Sequence, residues 1–477
     1  MTRRPRLAAL LLLASAACGD GSGPPPPPPP PPPGPSAHHL TFVAQPAAGL
    51  ADSTFASAIT VEIRDSVDRR INGATAAVSI ALGVNPGTAT LSGSTTLNAA
   101  NGTATFSNLK INQRGRGYTL VAASGSLTPD TSAAFDVFAP LVVDAVAAGD
   151  AQTCALKRGD ATYCWGGNVS GELGDSSNAE HLRPLRVRTD QQFDTISAGY
   201  GLSCGITSAG NAYCWGDNLD GRLGDSTYDN RPFPTPVHGG LSFTSISFGF
   251  FHSCGRTTAG AAYCWGGNNV GQLGDSTNNP SPAPRLVVGG LRFTTVRGSN
   301  FHTCGLASGD AYCWGTNLHG ELGDSTHNYY TTPQGVHGGH TFLALVAGFS
   351  QSCGIATDAM TYCWGLNSSG QLGDGTFTER IVPTPVSGGH PFVAVEAHGQ
   401  FVCGTTALGF VWCWGGGYGN TPVAITQPAP FVSISTGFGH VCGVTASGAL
   451  YCWGDNSNGQ LGDGTKTFRS TPIRVVY

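Results

Sequence analysis

Residues 243–277 read FTSISFGFFHSCGRTTAGAAYCWGGNNVGQLGDST, and this stretch decides the fold of the 477-residue chain. Alternating and β-branched residues predict a first strand over 243–248 and a second around 252–257. A tight glycine turn then leads to a third strand over 262–265. The stretch therefore predicts antiparallel strands that end in a glycine-rich loop.

The third strand of this stretch ends in Tyr263, Cys264 and Trp265. Successive side chains of a strand point to opposite faces, so the two aromatic rings share one face of the sheet and the cysteine lies on the other. Stacked sheets need large flat residues between them. Trp265 and its counterparts are therefore predicted to pack between neighbouring sheets rather than to stack on a ligand.

The Cys-Trp-Gly tripeptide occurs seven times, at steps of 50, 50, 49, 50, 50 and 39 residues. Repeats of roughly 40 to 50 residues made of strands and glycine turns are typical of propeller blades. The chain is thus predicted to be all-β, with a seven-bladed β-propeller over residues 140–477. Residues 141–149 match the first strand of later repeats and 472–476 the last, so we expect the final blade to contain chain from both ends.

Composition narrows the classes of function. Charged residues make up only 11% of the chain, against about a quarter in typical domains. Exposed helices need many charged side chains, so a helical bundle is excluded. The net charge is −5 and no basic stripe is visible, so no nucleic-acid partner is expected.

Each repeat carries a second cysteine ahead of its Cys-Trp-Gly tripeptide. Residues equidistant from a hairpin turn lie opposite each other across the strands. The spacing is too wide for the Cys-x2–4-Cys pattern of structural zinc sites. Disulfides, which need an oxidising compartment, are therefore predicted for Cys154–Cys164, Cys204–Cys214, Cys254–Cys264, Cys304–Cys313, Cys353–Cys363, Cys403–Cys413 and Cys442–Cys452.

Residues 1–17 combine a basic start, a short apolar run and small residues before Cys18, as export signals do. They resemble a bacterial lipoprotein signal, which implies a lipid on Cys18. This cysteine is also the odd one among 15, and an exported protein is not expected to leave a free thiol. We expect a protein of the cell envelope or cell surface that meets the membrane through its lipid anchor only. Ordinary cleavage after residues 14–16, giving a secreted protein, is the alternative.

Two segments precede the repeats. Residues 18–37 are predicted to be a linker, because the ten prolines at 24–33 favour a polyproline II spacer of roughly 30 Å; a tail without a role is the alternative. Residues 38–139 contain about seven short alternating runs separated by Asn-Gly and Asn-Pro-Gly turns, which suggests a Greek-key β-sandwich. The stretch 82–111 resembles bacterial immunoglobulin-like domains, which implies a spacer or adhesive module.

The motif H-x-C-G…G-x-x-Y-C-W-G-x-N-x-x-G-Q-L-G-D resembles the repeat of the regulator of chromosome condensation family over residues 142–477. The resemblance implies a seven-bladed propeller. Nuclear members of that family exchange guanine nucleotide on a small GTPase and touch chromatin, and the paired cysteines depart from them. An exported acidic protein meets neither partner, so that activity and its residues are not carried over.

The recurring polar residues are predicted to be structural. Six copies continue into a Gly-x-Leu-Gly-Asp loop, and each loop offers one carboxylate, whereas calcium needs about six to eight oxygens. His252, His302 and His440 occupy a slot that other copies fill differently, so we expect hydrogen-bond donors there. The chain has no Gly-x-Ser-x-Gly elbow, phosphate-binding loop or acid cluster. No catalytic residue, metal or cofactor is predicted.

The loops that follow the aspartates differ most between copies, and they form the predicted binding rim. Tyr and Arg favour binding hot spots, and loops on a rigid scaffold often carry function. Solvated loops without a function are the alternative. The candidate rim residues are Tyr228, Arg231, Phe233, Tyr329, Tyr330, Phe377, Arg380, Phe468 and Arg469.

The sixth repeat is an exception. It reads CWGGGYGNTPVAITQP over 413–428 and lacks about 11 residues, including the Leu-Gly-Asp loop. A shortened blade leaves a notch near Tyr418, and we expect a ligand to contact this side.

Together these observations predict a lipid-anchored, extracytoplasmic propeller that binds a protein or glycan and catalyses nothing. An enzyme acting on cell-wall or other extracellular polysaccharide is the alternative, and a pocket with clustered carboxylates would favour it. A third hypothesis rests on a resemblance to secreted bacterial inhibitors of β-lactamase that share this fold.

Overall fold

The computed structural model describes residues 36–477, and this range is all-β. Its forty strands carry the fold, and it contains no helix. None of its elements is a helix long and apolar enough to cross a membrane. The predicted signal 1–17, Cys18 and the prolines at 24–33 lie outside the described residues.

Residues 39–138 form a unit of twelve short strands where about seven were expected, because several pairings involve only two residues. The strands pair in the orders β1-β3-β7, β11-β10-β4-β6, β2-β12-β9 and β5-β8. Their bounds are β1 His39–Ala44, β2 Gly49–Leu50, β3 Ile59–Arg64, β4 Ala77–Leu82, β5 Leu91–Ser92, β6 Thr96–Asn98, β7 Thr103–Phe106, β8 Lys110–Ile111, β9 Gly115–Tyr118, β10 Leu120–Ala123, β11 Asp130–Thr131 and β12 Phe135–Phe138.

One apolar core lies between the sheets of this unit. In β3 the alternating sequence ITVEIR buries Ile59, Val61 and Ile63 completely and leaves the residues between them half-buried. Phe106 and Tyr118 from other strands pack into the same cluster. The period of two that predicted a strand here therefore also selects which face is buried.

Residues 145–474 form seven consecutive four-stranded antiparallel sheets, one for each repeat, and each pairs its strands in chain order. Their bounds are β13 Ala145–Ala148, β14 Gln152–Lys157, β15 Ala161–Gly166 and β16 His181–Arg186; β17 Phe193–Ala198, β18 Leu202–Thr207, β19 Ala212–Gly216 and β20 Arg231–Pro236; β21 Phe243–Phe248, β22 His252–Thr257, β23 Ala262–Gly266 and β24 Ser281–Leu286; β25 Thr295–Gly298, β26 His302–Ala307, β27 Asp310–Gly315 and β28 Tyr330–Gly335; β29 Phe342–Ala347, β30 Gln351–Ala356, β31 Thr361–Gly365 and β32 Arg380–Pro385; β33 Phe392–Ala397, β34 Phe401–Thr406, β35 Val411–Gly415 and β36 Gly419–Ala424; and β37 Phe431–Thr436, β38 His440–Thr445, β39 Leu450–Gly454 and β40 Arg469–Arg474.

The paired cysteines of each repeat lie opposite each other on the second and third strands. In the fourth sheet, where the turn is one residue shorter, the register still sets Cys304 opposite Cys313. The structure contains seven buried disulfides, namely Cys154–Cys164, Cys204–Cys214, Cys254–Cys264, Cys304–Cys313, Cys353–Cys363, Cys403–Cys413 and Cys442–Cys452.

The seven sheets surround a common axis. A central cavity of about 230 Å³ is lined by the first strands of all seven sheets, and β13 of the first sheet contacts β37 and β38 of the last. The expectation that the final sheet shares strands from both ends is wrong, because four complete strands follow Pro430. The N-terminal segment adds only bridges, such as the Leu141 N–H donating to the Val475 carbonyl at 3.0 Å.

Neighbouring sheets are joined by a repeated contact, in which the tryptophan of one sheet packs on the Leu-Gly-Asp loop of the sheet before it. The indole Nε1 of Trp265 donates to the Arg222 carbonyl at 2.8 Å, and Leu223 is buried in the same cluster. Gly224 has a φ of 74°, and a Cβ there would lie 2.6 Å from Trp265 Nε1, so this position requires glycine. The predicted packing role of tryptophan is seen here, and the same bond, at 2.9–3.1 Å, is made by Trp165, Trp215, Trp314, Trp364 and Trp414.

The three repeated histidines support this contact. Thr303 donates its only hydroxyl hydrogen to the Gln272 carbonyl at 2.8 Å, so it accepts a hydrogen bond from Nε2–H of His252 at 2.8 Å. His302 and His440 make the equivalent bonds to Ser352 and Thr153. Burial lowers the pKa of each histidine to about 3. The three rings are therefore neutral structural donors.

The disulfides predict a clear chemical behaviour. Alkylation of the folded protein without reductant should modify none of the fourteen paired cysteines, and mass spectrometry would count the labels. Changing Cys304 and Cys313 together to Ala should lower the free energy of unfolding by about 2–3 kcal/mol, because the unfolded chain regains loop entropy. Labelling of several repeat cysteines before reduction would contradict the assignment.

The buried histidines predict a falling stability in acid. The unfolded histidines gain a proton below about pH 6.5, whereas the folded ones stay neutral until about pH 3. Each of the three histidines should therefore lower the free energy of unfolding by about 1.4 kcal/mol for every pH unit of acidification within that window. His302→Gln should remove the contribution of one histidine from this slope, because one proton fewer is taken up on unfolding. Glutamine is a suitable replacement, since it fills the same slot at 152 and 351.

Urea unfolding at pH 7, 6, 5 and 4 would measure the slopes. Exposed His337 provides the control, and His337→Gln should leave the slope of the parent protein unchanged. Equal slopes for His302→Gln and the parent protein would contradict the assignment.

Candidate functional site

The Gly-x-Leu-Gly-Asp loops are closed by their own side chains. Asp225 accepts a hydrogen bond from the Thr227 backbone N–H at 3.0 Å and another from Asn218 Nδ2 at 3.2 Å. The Asn218 side chain also accepts from the Leu223 N–H at 2.9 Å. Residues 36–477 contain no group of three or more His, Cys, Asp or Glu arranged to hold a metal ion. The repeated aspartate therefore caps a turn.

The loops between third and fourth strands leave the same end of every sheet and form one rim. Of the nine predicted rim residues, five have exposed aromatic side chains, namely Tyr228, Phe233, Tyr329, Phe377 and Phe468. Tyr330 is half-buried and packs on the cluster that contains Phe342. The rim therefore exposes five aromatic side chains, which are distributed over several loops.

The three predicted rim arginines are engaged within the protein. Arg231 pairs with Asp225 at 2.7 Å, and Arg380 and Arg469 pair with the aspartates of their own loops at 2.8 Å. Each arginine follows its aspartate by six residues. These ion pairs fasten the end of a loop to the start of the fourth strand, which gives the arginines a structural role.

The notch of the sixth sheet opens a cavity of about 690 Å³. Strand β36 begins after only three residues, whereas fourteen residues precede the fourth strand in each of the other six sheets. We call this space the notch cavity, and its walls include Phe401, Tyr418, Phe438, Trp453, Phe468 and Ser470. It lies beside Tyr418, where the sequence predicted a ligand-contacting side.

Trp453 is the tryptophan that would receive the missing loop. Its side chain is 1% exposed, and its Nε1 is buried without a hydrogen-bond partner among the described residues. Tyr418 packs on the same cluster, and its hydroxyl lies near the Trp453 N–H without reaching the geometry of a hydrogen bond. Burial raises the pKa of Tyr418, and the nearby Trp453 N–H counteracts this shift in part.

Sequence reasoning located the notch but missed this donor, although a signal was available. In five sheets a Ser or Thr hydroxyl shares the loop carbonyl with the indole, as Ser253 does at 2.7 Å. The seventh sheet has Val441 at that position, and the valine is fully buried. Val402 fills the same position in the sixth sheet, where the loop acceptor is present, so the signal is the retained Trp453 itself next to a repeat that lacks its loop.

The central cavity is a second candidate site, and it holds two charged side chains. Burial raises the pKa of Glu396, while Arg297 partly opposes that shift. Nε of Arg297 has no hydrogen-bond partner in the described part of the chain. At about 230 Å³ this space is below the usual range of ligand pockets, so the notch cavity is the better candidate.

The unpartnered N–H predicts a difference between two tryptophans. Trp414→Phe should lower the free energy of unfolding because it removes a hydrogen bond of 3.1 Å to the Gln371 carbonyl and leaves that carbonyl unpaired, at about 1–3 kcal/mol. Trp453→Phe removes an N–H that has no partner. Its loss in free energy of unfolding should therefore be smaller than that of Trp414→Phe by about 1–3 kcal/mol. Urea unfolding of both variants would test this, and equal losses would contradict it.

Comparison with known proteins agrees with the geometry. A model of the RCC1-like domain matches residues 112–404, and models of the regulator of chromosome condensation (RCC1) repeat match 431–460 and 447–477. No curated protein sequence matches the chain.

Several solved structures share the fold. Human WBSCR16 is 23% identical with a TM-score of 0.61, and the match covers 67% of this chain and 94% of that one. Yeast RCC1 (Prp20), solved with Kap60, is 17% identical with a TM-score of 0.58, over 66% and 83% of the two chains. Prp20p from Saccharomyces cerevisiae, described with its binding properties to Gsp1p and histones, is 19% identical with a TM-score of 0.58, over 66% and 85%.

These structures share the propeller architecture, and at this identity they show the fold alone. The family model covers more than half of the chain, and the four-stranded sheets correspond to its blades. The chain belongs to the RCC1-like domain family.

Proposed function

We propose that this chain is an exported, lipid-anchored binding protein with one seven-bladed propeller and an immunoglobulin-like sandwich over residues 38–139. Seven disulfides support export, because such bonds persist in oxidising compartments. They use fourteen of the fifteen cysteines. Cys18 is then the one left for a lipid, as in bacterial lipoproteins.

The observation that best supports ligand binding without catalysis is the notch cavity. Its volume of about 690 Å³ lies within the range of roughly 300–1,000 Å³ that ligand sites occupy. Its walls include five aromatic side chains, and none of its lining residues is a carboxylate. Polysaccharide hydrolysis commonly needs a pair of carboxylates, so these walls favour binding of a protein or glycan.

The rim aromatics extend this surface. Tyr228, Tyr329 and Phe377 lie on loops at the same end of the ring and are each more than half exposed. Aromatic side chains contribute much of the binding energy in protein interfaces. An acidic protein with disulfides is unsuited to the histone partners of Prp20p.

A cross-linking pull-down from intact cells tests the rim. The triple variant Tyr228→Ala, Tyr329→Ala, Phe377→Ala should lose the partners that the parent protein recovers, because it removes large contact surfaces without touching the core. Mass spectrometry and glycan analysis would identify what is recovered.

A matched control uses exposed apolar residues at the opposite end of the sheets, with Leu343→Ala, Val393→Ala and Val432→Ala. Register places these positions away from the rim, near the turns between second and third strands. The control should recover the same partners as the parent protein. Identical recovery by the rim variant would overturn the rim as the binding face.

A further inference from the structure

We propose that the notch cavity receives a leucine-glycine loop from another protein, which takes the place of the loop that the sixth repeat lacks. The inference rests on the proposed binding function and names its ligand class. That ligand is a polypeptide turn of the form x-Leu-Gly-x-x.

The six complete sheet junctions of this chain show what such a turn must supply. In the second loop, the Arg222 carbonyl accepts the tryptophan N–H, and Leu223 is fully buried. Gly224 lies flat against the indole with its positive φ. The amide of Ser226 then donates to the Pro282 carbonyl on the next fourth strand at 2.9 Å. A ligand needs this acceptor, side chain, glycine and donor in the same order.

The notch cavity presents the complementary half of each contact. Trp453 provides the unpartnered N–H. Ser470 is the second residue of β40, as Pro282 is of β24, so its carbonyl occupies the position that a loop amide reaches elsewhere. Both residues line the cavity. A turn from another chain therefore meets one side-chain donor, the Trp453 N–H, one backbone acceptor, the Ser470 carbonyl, and an apolar wall.

The apolar part of the site lacks the leucine found at the other six junctions. Each of the other tryptophans shares its buried cluster with a loop leucine, whereas Trp453 packs with Phe431 and Val441 and is flanked by the half-buried Tyr418 and Ile425. The remaining open volume is large enough for an aliphatic side chain and its turn. A branched aliphatic residue is thus the expected centre of the ligand.

Other ligand classes fit less well. A glycan offers hydroxyl groups but no branched aliphatic side chain for the apolar wall. The proline run of this chain, residues 24–33, has neither a leucine nor backbone N–H groups within the run. The only arginine on the cavity wall, Arg469, is already paired with Asp463 at 2.8 Å. An uncharged turn of a partner protein is therefore favoured.

The test uses the full chain and a synthetic peptide, NSNGQLGDGT, which is residues 456–465 of the last complete loop. We expect saturable one-to-one binding by calorimetry and a shift of the Trp453 indole N–H resonance. Peptides with Leu461→Ala or Gly462→Val should bind at least tenfold more weakly. Equal binding of the three peptides would overturn the proposal.

A pair of protein variants separates the donor from general packing. Trp453→Phe keeps an aromatic ring but removes the N–H, and should weaken peptide binding about tenfold, as expected when a buried carbonyl loses its partner. Trp414→Phe is the matched control, because its own loop already occupies it, and it should bind the peptide like the parent protein. Unchanged affinity in Trp453→Phe would overturn the proposal.

A loop graft provides an independent readout. Replacing residues 416–418 with residues 366–379 gives the sixth sheet the loop of the fifth. The grafted loop competes from within the same chain at millimolar effective concentration, so it should abolish peptide binding and raise Tm. A folded graft that still binds the peptide would overturn the proposal.

These results can be told apart from failure of the proposed function. If the parent protein recovers partners that the rim variant loses, yet no peptide binds, the notch inference fails and the binding function stands. If a glycan binds and Trp453→Phe weakens it, the polypeptide ligand is wrong while the cavity remains a binding site. If the loop graft recovers no partner and the rim variant recovers all, the notch alone is the binding face.

Discussion

The fold depends on the contact between an indole ring and the loop of the neighbouring sheet. A tryptophan such as Trp265 donates one hydrogen bond to a backbone carbonyl, covers a buried leucine and lies against a glycine with positive φ. A four-stranded sheet has two apolar faces and no partner of its own, so each sheet is stable only when its neighbours cover it. Six such contacts join seven sheets around the axis, and one junction lacks it.

Several buried polar groups in this ring are hydrogen-bonded across the junctions between sheets. The carbonyl of Gln272 accepts from both Trp314 and Thr303, and the hydroxyl of Thr303 in turn accepts from His252. Because this network is buried, neutral side chains are favoured over charged ones. This explains how a chain with only 11% charged residues keeps polar groups hydrogen-bonded in its interior.

The notch cavity exists because the sixth repeat lacks the loop that covers the tryptophan at the other junctions. Removal of one loop takes away a carbonyl, a leucine and a glycine together, while the opposing Trp453 remains in place. The rim arginines, by contrast, are used to fasten loops, so the aromatic side chains and the notch are the features left to contact a ligand.

The sequence by itself determined the strands of the repeats, the register of the cysteine pairs and the position of the notch, because these follow from local period and repeat spacing. It placed β21 and β22 at their observed bounds. Tertiary structure decided how the ring closes, that Arg231 pairs with Asp225 and that Trp453 is left without a partner. These properties arise between elements distant in the chain, and a repeat motif describes a residue's neighbours in sequence but not the group that its side chain meets across a sheet junction.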